Sequence, residues 1–318
     1  MRTWVKQMIK GLTGCGILYR TNWYKSMFVD LNHEIYPDRT WKNKEHYYDV
    51  INLGSSGGKW AFDYTGLDIK ALNWAQQPQT LLEDYNLLRN FHSVLRRDGY
   101  VLITIMPFTS LNKQTGIYDS LKYVKLDTQG QAIEPHLYKQ ACRLAEYPIL
   151  FKKSAIKAIV KYLVGKDKAI IPSEPMLEYN PMSEEELEVD AKRWIDGWKS
   201  QFGISDFNAP LTCENQKGRE YRIEMMRSLI DFCLNHRYTP IYVIPPVTLY
   251  LSKYYTKEFE ETYVYGFLKQ VGKDITILDY SKSEDFQDSS LYFNSFFLNK
   301  KGRKLFTHRV LVDIGLID

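Results

Sequence analysis

The order of apolar and polar residues predicts strands alternating with helices. Residues 47–53, YYDVINL, form an apolar, β-prone run that stops at Gly54-Ser55-Ser56-Gly57-Gly58, the pattern of a strand, a tight turn and a helix. A second short strand is expected at 68–72, DIKAL. From about Gln79 to Arg97, the residues Leu81, Leu82, Tyr85, Leu88, Phe91, Val94 and Leu95 recur at helical spacing, and Asp98-Gly99 is expected to stop that helix. Residues 100–106, YVLITIM, are almost continuously apolar, as suits a strand covered on both faces, and Pro107 ends them. Further along, a helix from about Arg219 to Asn235 leads into a strand at 239–244, TPIYVI, and one from about Lys257 to Gln270 leads into a strand at 274–278, DITIL. A last helix is expected from the N-cap Asn299 to about Ile314, with Leu305, Phe306, Val310 and Ile314 as its apolar stripe.

Strands alternating with helices imply a mostly parallel sheet of about five strands covered on both sides, a three-layer α/β/α sandwich of flavodoxin-like kind. Residues 112–215 break the rhythm: they contain helical patterns, a Pro-containing stretch from Pro172 to Pro181 and a capping box at Ser183/Glu186, but no strong strand. They read as a helical insertion within one domain spanning 1–318, with 1–46 as an N-terminal extension.

Composition adds bounds. Across 318 residues, 42 Lys+Arg stand against 38 Asp+Glu, a net charge of +4, which lacks the strongly basic balance of a nucleic-acid binder. With 44% hydrophobic and 25% charged residues the chain is of globular type. Cys15, Cys142, Cys213 and Cys233 lie far apart, without a C-x-x-C pair or a histidine at ligand spacing, so neither a metal site, a cofactor site nor a disulfide framework is expected. A reducing, cytoplasmic setting follows, and the N-terminus has no signal-peptide pattern. The 24 Tyr and 7 Trp suit a protein that handles amphipathic ligands such as sugars or lipid head groups.

In open parallel sheets ligands sit beyond the carboxyl ends of strands, so chemistry is sought first at Gly54-Ser55-Ser56-Gly57-Gly58. A serine there is either a nucleophile served by the amides that open a helix, or part of a Gly/Ser turn that only caps one. The segment is no dinucleotide fingerprint, and Trp60 stands where a Walker loop needs a hydroxyl.

Three stretches resemble the SGNH/GDSL hydrolase-like proteins, in the branch near the D-alanyl transfer protein of teichoic acid synthesis and the hydrolase-like proteins of surface-polysaccharide clusters. Residues 50–56, VINLGSS, are similar to the family's first strand and nucleophile turn, with Ser56 at the nucleophile position and Ser55 where many members carry Asp. Leu72-Asn73-Trp74-Ala75, followed by Gln77-Pro78, resembles the second block, which implies Asn73 and the Ala75 amide as oxyanion donors. Residues 292–302, YFNSFFLNKKG, resemble the last block, in which an Asp-x-x-His pair precedes Leu-Asn and a helix. The resemblance implies ester hydrolysis or acyl transfer on a surface polysaccharide, or on its lipid- or nucleotide-linked sugar precursor. Ser55, Gly57, Ala75, Gln77 and Ser110 are then expected to line the binding cleft, with Thr109 beside them.

The last block departs from the family at the reacting residues. Asn294 falls on the Asp position and Phe297 on the His position, and phenylalanine cannot take a proton from a serine. His308 lies nine residues beyond Asn299, about 13 Å further along the helix at about 1.5 Å per residue. His33, His46, His92, His136, His236 and Asp63 remain as substitute bases. The alternative expectation is a non-catalytic protein that binds a glycan, or organises an assembly, in the same cleft.

Two basic amphipathic stretches suggest a peripheral contact with an anionic membrane surface. One has Trp4, Val5, Met8, Ile9 and Leu12 beside Arg2, Lys6 and Lys10. The other has Ile156, Ile159, Val160, Leu163 and Val164 among Lys152, Lys153, Lys157, Lys161, Lys166 and Lys168. The same pattern fits a helix packed on a core. The run Lys300-Lys301-Gly302-Arg303-Lys304 either draws an anionic substrate to the cleft or is a solvated face.

Overall fold

The computed structural model describes residues 17–24, 43–111, 135–146, 149, 153–168 and 182–318, without the side chains of 135–138 and 145–146. In chain order its helices are α1 (Ile17–Arg20), α2 (Asn22–Tyr24), α3 (Ser56–Ala61), α4 (Leu81–Phe91), α5 (Pro135–Glu146), α6 (Lys153–Leu163), α7 (Glu184–Phe202) and α8 (Cys213–Asn235). They continue with α9 (Leu249–Ser252), α10 (Lys257–Glu260), α11 (Gly266–Val271) and α12 (Lys300–Asp313). The strands are β1 (Tyr48–Leu53), β2 (Ala71–Asn73), β3 (Leu95–Thr104), β4 (Thr239–Ile244) and β5 (Ile277–Asp279).

The chain forms two compact units, one of Met1–Pro37 and Gln114–Ser173, the other of Asp38–Lys113 and Glu174–Asp318. The expected single domain with an insertion at 112–215 therefore needs correcting. Residues 182–215 fold with the sheet, because Ala191, Ile195 and Trp198 of α7 share a core with Phe108, Val247 and Phe297.

The larger unit holds the α/β sandwich. Its five strands lie in the order β2-β1-β3-β4-β5, all parallel. Val50, Ile51 and Leu53 of β1 and Val101, Leu102 and Ile103 of β3 are fully buried, as continuous apolar runs require when both sheet faces are covered. One core layer joins Val50, Leu102 and Val243 to Phe306 and Val310 of α12. Two chain caps form as their residues dictate: Ser183 and Glu186 make a reciprocal capping box on α7, and Asn299 accepts from the Gly302 amide at 3.0 Å.

Some boundaries differ from the sequence pattern. Helix α4 stops at Phe91, a 3-10 turn covers His92–Val94, and Leu95 already pairs with Tyr48. Residues 96–99 then bulge out before Tyr100 pairs with Val50, with Asp98 in the left-handed region and its amide on the Arg237 carbonyl.

In the smaller unit α1 and α2 pack on α6. The Asn22 backbone amide donates to the Asp167 carboxylate and the Asn22 side chain to the Asp167 carbonyl, both at 2.8 Å. The apolar stripe from Trp4 to Leu12 lies outside the described residues.

Candidate functional site

Strand β1 delivers the chain to Gly54, whose φ of +132° is open to glycine alone and whose Cβ, if present, would meet the Thr104 Cβ at 2.8 Å. The Gly54 amide donates to the Asp84 carboxylate at 2.8 Å, and the Gly54 carbonyl accepts from the Gln76 amide at 3.1 Å. Gln79 also donates to that carboxylate. Asp84 is enclosed, and burial pushes its carboxyl up to about 7 against the Gln79 and Gly54 hydrogen bonds and the charge of Arg222. The turn is thus held from beneath by a carboxyl group on α4.

Ser55 accepts from the Gln79 amide at 3.3 Å, which ties the turn to the segment before α4. Ser56 opens α3, is half-buried, and its hydroxyl has no hydrogen-bond partner among the described residues. Gly57 lies beneath Met106, leaving no room for a side chain.

The two expected oxyanion donors are spent elsewhere. Asn73 is 4% exposed, and its amide NH₂ faces the carbonyls of Gly58, Lys59 and Phe62, each at 3.3 Å, closing the end of α3. Its Oδ1 accepts from Asn52 at 2.8 Å and from the Ala75 amide at 3.1 Å, so that amide too is committed. Gln77 Oε1 accepts from the Trp60 indole at 2.9 Å. Ser110 is fully buried after β3, and Thr109 accepts from the Met106 amide at 2.8 Å in a turn.

The described substitute bases have other partners or lie on other parts of the fold. Asp63 lies beyond the end of α3, not on it, and its carboxylate accepts from the Thr65 amide and hydroxyl. His46, His92 and His236 precede β1, β3 and β4 at the amino ends of the strands, opposite to Ser56. There His92 meets the Tyr238 hydroxyl at 3.0 Å, and its ring lies 4.4 Å from that of His236. His308 is exposed on α12; His33 and the His136 side chain lie outside the described residues.

At the family's Asp and His positions the arrangement is structural. Asn294 Oδ1 accepts from the amides of Phe296 at 2.9 Å and Phe297 at 2.7 Å, closing a local turn. Phe297 is 5% exposed, with its ring 5.5 Å from Trp194 and 4.7 Å from Phe296. Phe296 in turn meets Trp194 at 4.9 Å and Trp198 at 5.1 Å. The segment is pinned by Ser295, whose amide and hydroxyl donate to Asp190 of α7 at 3.1 and 2.6 Å. Asp190, Trp194 and Trp198 escaped the sequence reading. Their only signal is the helical spacing of the two tryptophans, which does not say what they cover.

Beside this aromatic cluster a cleft opens at the carboxyl ends of β3, β4 and β5. Its walls are largely apolar and include Trp60, Met106, Pro246 and Phe296. Polar groups come from Glu260, Tyr265, Asp279 and Ser281, with the Tyr265 hydroxyl donating to Asp279. Lys282 bridges Glu260 at 2.6 Å and the Tyr255 carbonyl at 2.7 Å. Tyr255 also lines the cleft, and its buried hydroxyl has no hydrogen-bond partner among the described residues. Of the binding residues expected from sequence, Gly57 alone lines this cleft.

The basic run at the start of α12 divides. Arg303 turns inward, donates to the Phe62 carbonyl at 2.7 Å and lies over the Trp60 ring, while Lys301 and Lys304 are exposed. Among the described residues no group of three His, Cys, Asp or Glu is arranged to hold a metal ion. No described helix is long and apolar enough to cross a membrane. No protein-family model matches the chain, and a search of curated proteins returns no match.

Proposed function

We propose that the protein is a non-catalytic binding protein on an SGNH-like frame, holding a glycan or a lipid- or nucleotide-linked sugar in the cleft at the carboxyl end of the sheet. The observation that carries this reading is Phe297, buried in an aromatic cluster at the position where a hydrolase keeps its base. A serine hydroxyl with no base hydrogen-bonded to it is a weak nucleophile, and the Ser56 hydroxyl has no hydrogen-bond partner among the described residues. The cleft has the composition that sugars ask for. Ring and aliphatic walls suit the apolar face of a pyranose, while Asp279, Glu260 and the Tyr255 hydroxyl suit its hydroxyl groups.

Titrating the protein with nucleotide-linked sugars and oligosaccharides, read by tryptophan fluorescence, tests the proposal. Saturable binding that Tyr255→Phe weakens about tenfold is the expected result, the loss of one buried hydrogen bond. Absence of binding across the panel, or binding indifferent to cleft substitutions, refutes it. A second reading, ester hydrolysis or acyl transfer through Ser56, is favoured by one feature: this half-buried hydroxyl stands at the first position of a helix beyond the end of β1.

A further inference from the structure

Helix α6 inverts the usual arrangement of large and small apolar residues. Its inward face is built from Ala155 and Ala158, buried in the smaller unit. Its large aliphatic side chains point out: Ile156 is 51% exposed, Val160 54%, Leu163 64% and Val164 58%. At about 100° per residue Ile156, Val160 and Leu163 fall on one stripe, and Val164 continues it at the helix end. A helix packed on a core turns such residues inward, and among the described residues these four are exposed. Lys153, Lys157 and Lys161 are exposed along one flank of it, and Lys166 and Lys168 follow in the turn beyond. The acidic group in this stretch, Asp167, is engaged by the Asn22 amide. Exposed aliphatics bordered by lysines match an anionic interface, where apolar side chains enter the acyl boundary and ammonium groups remain at head-group level.

We propose that α6 is a docking surface for an anionic lipid bilayer, with Ile156, Val160, Leu163 and Val164 entering the interface and Lys153, Lys157, Lys161, Lys166 and Lys168 held on its phosphates. The charge complementarity of the lysine flank selects a membrane over a second copy of the chain, which would set like charges together. This surface is independent of the cleft, and its failure leaves the ligand-binding proposal standing.

Co-sedimentation of the full chain with vesicles of two parts phosphatidylcholine to one part phosphatidylglycerol, against pure phosphatidylcholine, tests it. Binding to the anionic vesicles that weakens with added salt is expected. Lys157→Gln with Lys161→Gln lowers the partition coefficient about 30-fold, at roughly fivefold per lysine. Ile156→Gln with Leu163→Gln weakens binding to the anionic vesicles with an unchanged melting temperature, because both residues are already exposed. No binding by the folded protein, or binding unchanged in both double variants, overturns the proposal. So does self-association that Ile156→Gln with Leu163→Gln abolishes in the absence of vesicle binding, which would make the stripe an interface between copies.

Discussion

Replacing Asp84 by asparagine tests how the Gly54 turn is held. Asparagine keeps an oxygen to accept from the Gly54 amide but cannot ionise. In the folded protein burial raises the Asp84 carboxyl to about 7 from an ordinary 3.8, while Gln79, Gly54 and Arg222 pull in the opposite direction. A folded-state value above the unfolded one means that the stabilisation is complete below pH 3.8 and is lost as pH rises through about 7. At about 1.36 kcal/mol per pH unit the full loss is about 4 kcal/mol. The stability of Asp84→Asn relative to the parent should therefore improve by about that amount between roughly pH 4 and pH 8, as an upper bound. Urea unfolding at a series of pH values, with both proteins at each, measures the difference. A difference that stays flat over this range refutes the reasoning. It would mean that the hydrogen bonds and the Arg222 charge outweigh burial and keep Asp84 ionised.

Other substitutions test the remaining assignments. Gly54→Ala should cost about 3 kcal/mol in chemical denaturation, from a left-handed backbone and the approach of Thr104 together. Asn73→Ala should lower stability by about 2 kcal/mol, since it leaves buried carbonyls at the end of α3 without a donor. Burial, and then the neighbouring His236 and His46, depress the His92 pKa, so its contribution to stability is present above its ordinary 6.5 and lost as pH falls below that. His236→Gln should flatten this acid-side loss in a pH series of melting temperatures, and an unchanged slope would show that the cluster does not set it.

The sheet was legible because its central strands are buried on both faces and read as largely apolar runs, two of them ended by Gly54 and Pro107. The end strands were less so: β5 pairs only at Ile277–Asp279, half-exposed at the sheet edge, although the apolar run begins earlier. Helix α7 was placed in an insertion because the spacing of Leu187, Ala191, Trp194 and Trp198 defines a face without naming its partner. Tertiary contact with Phe296 and Ser295 supplies that partner. Asn73 illustrates the same limit in chemistry. An amide suited to an oxyanion is equally suited to the carbonyls that end a helix, and the sequence holds no signal to separate them. For α6 the spacing revealed a stripe, but only the burial of Ala155 and Ala158 revealed which way it faces.

The proposal that the protein binds its ligand without a serine nucleophile is tested most directly by labelling with a fluorophosphonate, comparing the protein with Ser56→Ala. The account predicts the same background signal in both, since the buried Phe297 stands where the resemblance would place the base. Stoichiometric labelling that disappears in Ser56→Ala would contradict it and restore ester hydrolysis or acyl transfer as the activity.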